Sequence, residues 1–329
     1  MIHNVEQKVR ENLLILTILV LIGGVIVGHV FENTVNEYRD HIKHAILILA
    51  ISTIYPSMIK LRLDKLTHSL RKWKEIVLGL ILSLLVAPII AMMIAPIIDN
   101  PLIQLGYLTA NIVPASSASI GYVLLSEGNI ELATALVVLS IAGSIALGPI
   151  YLSLYSSQRH IYIPLSRIIS SLTMALIVPL IAGQVTRYYL LKKRGKAFVE
   201  RTIRPYLSLA TMTCMLLLIF LLIMSKASLV FDRPFITLDI IAGQIIIMAI
   251  LITSTLLLSK FLKIPYKDHV SLIYISMTKN QSAAVIIAAY ALKGASTLPP
   301  AIIPVIQPVI CILYIHMRNY VERLLQSTL

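Results

Sequence analysis

The sequence predicts an all-α membrane protein of ten transmembrane helices arranged as two inverted five-helix repeats. Three observations carry that expectation. The 329 residues are 58% hydrophobic and 13% charged, with a mean hydropathy of +0.88, so too little polar side chain exists to clothe a surface that faces water. The apolar residues gather into runs of about 20, the length a helix needs to cross the hydrocarbon core. A shift of 166 residues then lays one polar interruption of these runs on another.

In chain order the runs cover 12–30, 42–60, 76–97, 102–126, 130–153, 168–190, 206–225, 236–259, 269–292 and 299–317. They are too long, and too free of alternation, for the strands of a barrel. The first follows basic residues in MIHNVEQKVRENLLILTILVLIGGVIVGHVFEN, but no small-residue cleavage signature closes it, so it reads as a retained helix. Of the 28 basic residues, 20 fall at the two termini and in or beside the loops after even-numbered runs, counting Lys60 and Arg187 at run ends, against 7 on the other side, counting Lys43. That asymmetry places both termini in the cytoplasm of a multi-pass cell-membrane protein. It also accounts for the net charge of +13, which in a soluble chain would point to nucleic acid. The expected surroundings are a lipid bilayer, with no nucleic-acid partner.

Segment 61–75, LRLDKLTHSLRKWKE, sets Leu63, Leu66, Leu70 and Trp73 at helical spacing among basic residues. An interfacial helix and a solvated basic loop both fit it. The basic stretch around 192–204 lies near the middle of the chain and divides it into 1–191, with the first six helices, and 192–329, with the last four.

The repeat superposes PASSASIGYVLLSEG, 114–128, on NQSAAVIIAAYALKG, 280–294, with Ser116/Ser282, Ala118/Ala284, Ile120/Ile286 and Gly128/Gly294 identical. Each stretch falls in the fourth helix of its half. An odd number of helices per half forces the two halves into opposite orientations, the plan of secondary transporters whose solutes bind between broken helices. Pro114 lacks an amide proton and disfavours helical geometry at Val113, while Ser116, Ser117 and Ser119 can serve the backbone groups this frees. A proline kink with Ala115 and Ser119 as small packing residues is the plainer alternative. The second stretch has no proline or glycine beside Thr278, Lys279, Asn280 and Gln281, so its break is inferred from polarity and repeat position. Breaks are expected within 112–117 and 277–282.

PASSAS followed by EGN, together with TKNQSAA and PAIIPVIQP, resembles the bile acid:sodium symporter superfamily, which includes arsenite permeases. The resemblance implies a panel domain of helices 1, 2, 6 and 7, and a core domain of helices 3, 4, 5, 8, 9 and 10. The fourth and ninth helices would unwind and cross beside the substrate. At positions where sodium-coupled members carry oxygen ligands, this chain has Ile120, Ala133, Val137 and Ile275, and Lys279 replaces a glutamine. Where arsenite permeases carry a cysteine and a glutamate, it has Ala115 and Ser282. The departures argue against both a sodium site of the usual kind and thiol coordination of arsenite.

Lys279 lies about ten residues from either end of its run, roughly 15 Å at the helical rise, too deep to snorkel. A lysine paired with a carboxylate would be the structural explanation, but Asp99, Glu127, Glu131 and Asp239 all fall at predicted helix ends. A watery cavity, loss of the proton or an anionic substrate remain, and each is functional. The expected site is therefore Lys279, Asn280, Pro114, Ser116, Ser117, Ser119, Gln281 and Thr278, taking a small organic or inorganic anion. No cofactor or metal is expected. Cys214 and Cys311 form no ligand pair, and no phosphate-loop, H-E-x-x-H or C-x-x-C motif occurs. His29, His41, His44, His160 and His269 read as interfacial. A secondary carrier without sodium coupling is the first reading, with a passive facilitator or channel, and then a membrane hydrolase, as alternatives. Oligomeric state is not legible.

Overall fold

The structure is a computed structural model that describes residues 2–63 and 70–326. Its described residues are helical throughout, apart from turns and one isolated antiparallel bridge between Ala115 and Lys279. The helices are α1 (Leu13–Val30), α2 (Arg39–Lys60), α3 (Trp73–Ile97), α4 (Pro101–Ile112), α5 (Ser119–Leu125), α6 (Ile130–Gln158), α7 (165–198), α8 (Arg204–Met224), α9 (Pro234–Phe261), α10 (Tyr266–Met277), α11 (Gln281–Leu292) and α12 (Leu298–His316). Polar helices Ile2–Glu11 and Arg318–Gln326 flank them. Among the described residues six stretches are long and apolar enough to cross a membrane, one of them the continuous Leu165–Met224, and Ile15–Val30 and Gln281–Leu292 are shorter apolar helices. With large apolar side chains such as Ile22, Met93, Leu257 and Leu313 exposed, the molecule is an integral membrane protein with several spans.

Two of the apolar runs are not single helices. The run 102–126 is divided between α4 and α5, and 269–292 between α10 and α11. The basic stretch around 192–204 is helical, continuous with the segments on either side. Gly195 alone departs, with φ 76° and ψ 164°, a conformation that glycine adopts without a Cβ clash. Of segment 61–75, residues 64–69, including Leu66, lie outside the described residues; Trp73 is exposed with the Lys74 ammonium over its ring.

Packing sorts the helices into two groups. Helix α2 lies against α7 and α8, and α8 also packs on α1. Helices α4, α6, α9, α10 and α12 interlock with α3 around the most deeply buried side chains, including Tyr107, Leu108, Leu136 and Ile273. The close approach of α4 to the turn before α12 depends on Gly106, where a Cβ would meet the Ser296 carbonyl oxygen at 2.0 Å. Contacts of α11 with α2 and of α12 with α8 join the groups.

Candidate functional site

At the two interruptions the chain ends cross and pair. Ser116 N–H donates to the Thr278 carbonyl at 3.2 Å, and Asn280 N–H donates to the Pro114 carbonyl at 2.9 Å. Together these form the antiparallel bridge of Ala115 with Lys279. Buried backbone groups need partners, and here each broken helix supplies those of the other. Side chains complete the set. Ala115 N–H donates to Ser140 Oγ of α6 at 3.1 Å. The Asn280 side chain caps α11 by accepting from Ala283 N–H, and the Ser119 hydroxyl donates to the Ser116 carbonyl.

Proline decides which carbonyls are left over. In a continuous helix, residue 114 would donate to the Ala110 carbonyl; Pro114 cannot. The Gln281 carboxamide takes that place, with Nε2 at 3.1 Å. Helix α3 shows the same relation. Its segment Leu82–Val86 is a π-turn, in which Ala87 N–H donates to the Leu82 carbonyl. In that register residue 88 would serve the Ser83 carbonyl, and residue 88 is proline. Lys279 Nζ donates instead to the Ser83 carbonyl at 2.5 Å and to Ser83 Oγ at 2.7 Å. The neighbouring Leu84 carbonyl, four residues before Pro88, accepts from the Tyr151 hydroxyl at 2.8 Å. Thus the buried ammonium, 2% exposed as a residue, has the Ser83 oxygens as partners and no carboxylate partner among the described residues.

Beside the crossing lies a crevice of about 120 Å³ between the two helix groups. One wall carries Thr53 and Ser57 of α2 with Thr211 and Met215 of α8, and the other carries the crossing together with Pro304 and Gln307 of α12. Seven of the eight expected residues line it: Ser116, Ser117, Ser119, Thr278, Lys279, Asn280 and Gln281. Pro114 does not, since its carbonyl is engaged by Asn280 behind the lining. The Lys279 ammonium is turned to Ser83, which is not a lining residue. Two buried lining atoms have no hydrogen-bond partner among the described residues, Gln281 Oε1 and Gln307 Nε2. They give the crevice one free acceptor and one free donor.

Several contributors escaped sequence reasoning. Gln307 and Ser83 sit in apolar runs with nothing in their spacing to mark them. Asp268 precedes an apolar run, where a carboxylate is ordinarily solvated, yet it is 2% exposed, paired with Lys72 and accepting from Asn129 Nδ2 at 2.7 Å. His269 is fully buried within the protein, with Nδ1 2.8 Å from Ser259 Oγ and Nε2 2.6 Å from the Tyr314 hydroxyl. Its position at the start of a run hid the fact that α9 and α12 cover it. A larger recess of about 560 Å³ holds Lys72, Glu127, Asp268 and Arg318, but these are matched as ion pairs, Lys72 with Asp268 and Arg318 with Glu127. The Arg318 guanidinium holds the Glu127 carboxyl below its ordinary range. Where oxygen ligands for sodium would stand, Ala133, Val137 and Ile275 are packed in the apolar core and Ile120 is partly buried against it. Among the described residues no group of three or more His, Cys, Asp or Glu side chains is placed to hold a metal.

No curated protein matches the chain. A family model described as Sodium Bile acid symporter family matches residues 47–233, a span that includes the first interruption and stops short of the second. With more than half of its length matched, this membrane-embedded, all-helical chain belongs to the sodium bile acid symporter family and is a membrane transporter of that type.

Proposed function

We propose that the protein is a secondary carrier, moving a small organic or inorganic anion by alternating access at the crevice beside the crossing, without sodium coupling. The observation that carries this reading is the crevice itself. Hydroxyl and carboxamide groups from both broken helices converge on it, and two of its buried polar atoms await a partner. About 120 Å³ suits a small solute, since sites for drug-sized ligands run to roughly 300 Å³ and above. The Ser116 and Ser117 hydroxyls and Gln307 Nε2 would donate to the anion, while Lys279, held on Ser83, would supply positive charge behind the lining. The apolar side chains at 120, 133, 137 and 275 could not replace the water around a sodium ion, which supports independence from it.

On this reading ten apolar segments span the cell membrane as inverted repeats, with the interrupted pairs α4/α5 and α10/α11 each counting as one span and both termini cytoplasmic. Helices α1, α2, α7 and α8 would form the panel against which the other group moves. The test is counterflow in proteoliposomes made with the purified chain. Vesicles preloaded with the transported anion should accumulate labelled anion transiently against its gradient. Equilibration without overshoot would favour the passive facilitator, and turnover of an ester or peptide would favour a hydrolase.

A further inference from the structure

The strongest unassigned feature is the seat on which the Lys279 ammonium rests. It is not built from carboxylates, as a buried ammonium usually requires. It exists because helix α3 adopts a π-turn over Leu82–Val86 and then reaches a proline. The turn shifts each donor one residue back along the chain of acceptors. Ala87 N–H therefore serves Leu82, and Pro88 leaves the Ser83 carbonyl without a helical donor. The Ser83 hydroxyl lies on the same ammonium, so two oxygens of one residue face one cation. An ammonium is the fitting occupant: a neutral donor would satisfy the carbonyl but would gain less from two oxygen dipoles at this depth.

We propose that Ser83 and Pro88 form a binding seat for a primary ammonium ion on α3, which Lys279 fills in the native chain and which a free alkylammonium ion can fill when the lysine side chain is removed. Ser83 and Pro88 are then positioning residues. They act through Lys279 to fix the second interruption against α3, and the antiparallel bridge carries that fixation to the first. The lysine stem runs from the crevice lining to the seat, so truncating it opens a path by which a small cation reaches Ser83. The seat is independent of what the crevice carries, and its test needs no transported solute.

The experiment compares thermal unfolding of the full-length, detergent-purified native chain with that of Lys279→Ala and Lys279→Ala/Pro88→Ala, in methylammonium chloride and in choline chloride. Choline carries the same charge but has no N–H and is too bulky for the seat. The native chain should melt alike in both salts. Lys279→Ala should melt lower by roughly 5 °C in choline and recover saturably as methylammonium is added. In the double variant residue 88 has an N–H that reaches the Ser83 carbonyl in the existing π register. It should regain stability without any added cation and lose the methylammonium response. The proposal is overturned if Lys279→Ala melts alike in the two salts, or if restoring the donor at residue 88 leaves the double variant no more stable than the single one. Should Lys279→Ala yield no folded protein, recovery of folded protein in the double variant supports the seat, and its failure to recover overturns it.

Discussion

The two interruptions end in the same place but arise differently. The first, 113–118, is written into the local sequence: Pro114 removes a donor, and Ser116 and Ser119 turn the chain back on itself. The second, 278–280, contains no helix breaker, and its three residues leave helical geometry only where partners elsewhere hold them. Those partners are the first interruption, through the Pro114 and Ser116 backbone, and α3, through Ser83. One break is therefore intrinsic and the other is induced by its surroundings. Symmetry of position does not require symmetry of cause, and the induced break is the one exposed to damage at a distance.

That contrast can be broken from either side. Lys279→Met keeps most of the apolar stem but strands the Ser83 carbonyl, and leaving a buried acceptor unpaired costs about 1–3 kcal/mol. Ser140→Ala likewise strands a buried group, the Ala115 N–H of the first interruption, at about 1–3 kcal/mol, but it breaks one hydrogen bond to the crossing where Lys279→Met breaks two, and the proline keeps that break in place regardless. Chemical denaturation of the two variants should thus rank Lys279→Met as the more destabilised. The Met variant should also lose anion binding, because it removes the positive charge behind the crevice. Equal losses in the two variants would mean that the second break is as intrinsic as the first.

The smallest effect is expected far from both. Glu127 is paired with Arg318 at the end of α5, with an Oε2 to guanidinium distance of 2.7 Å, and this pairing lowers its folded pKa below the ordinary 4.5. A lowered folded value means that the pair contributes stability at pH above the ordinary carboxyl value, and that this contribution is lost as pH falls through the lowered one. Glu127→Gln should therefore be flatter than the native chain across that acid window and unchanged in anion binding at neutral pH. An effect on binding would show that the crossing responds to this remote pair.

Much of this architecture was legible because membrane depth leaves a coarse trace. Every apolar run corresponds to helix, and Pro114 announces the first break through elementary backbone chemistry. Lys279 was conspicuous for the opposite reason, since a charge so deep demands an account. What it contacts was not legible. Ser83 becomes an acceptor only through a π-turn, and a one-residue change of helical register leaves no mark in a hydrophobicity pattern. Gln307 was hidden among the prolines of α12, and Asp268 by its place at a helix start, where a carboxylate is ordinarily solvated. The conformation of 192–204 was not legible either, because its lysines and arginines suit a loop as well as they suit the helix found on both sides of Gly195.

On the proposed function, the crossing holds a small anion without help from sodium, using groups that proline and the π-turn have positioned. This is tested most directly by thermal unfolding of the purified protein against a panel of small anions, once with sodium and once with choline as the only cation. Because a ligand that binds the folded state raises apparent stability by mass action, one class of anion should raise the melting temperature equally in both media. Gln307→Leu should abolish that rise while melting no lower than the native chain when no anion is added, since Gln307 Nε2 has no partner to lose. Stabilisation that appears only in sodium, or that survives in Gln307→Leu, would contradict the account.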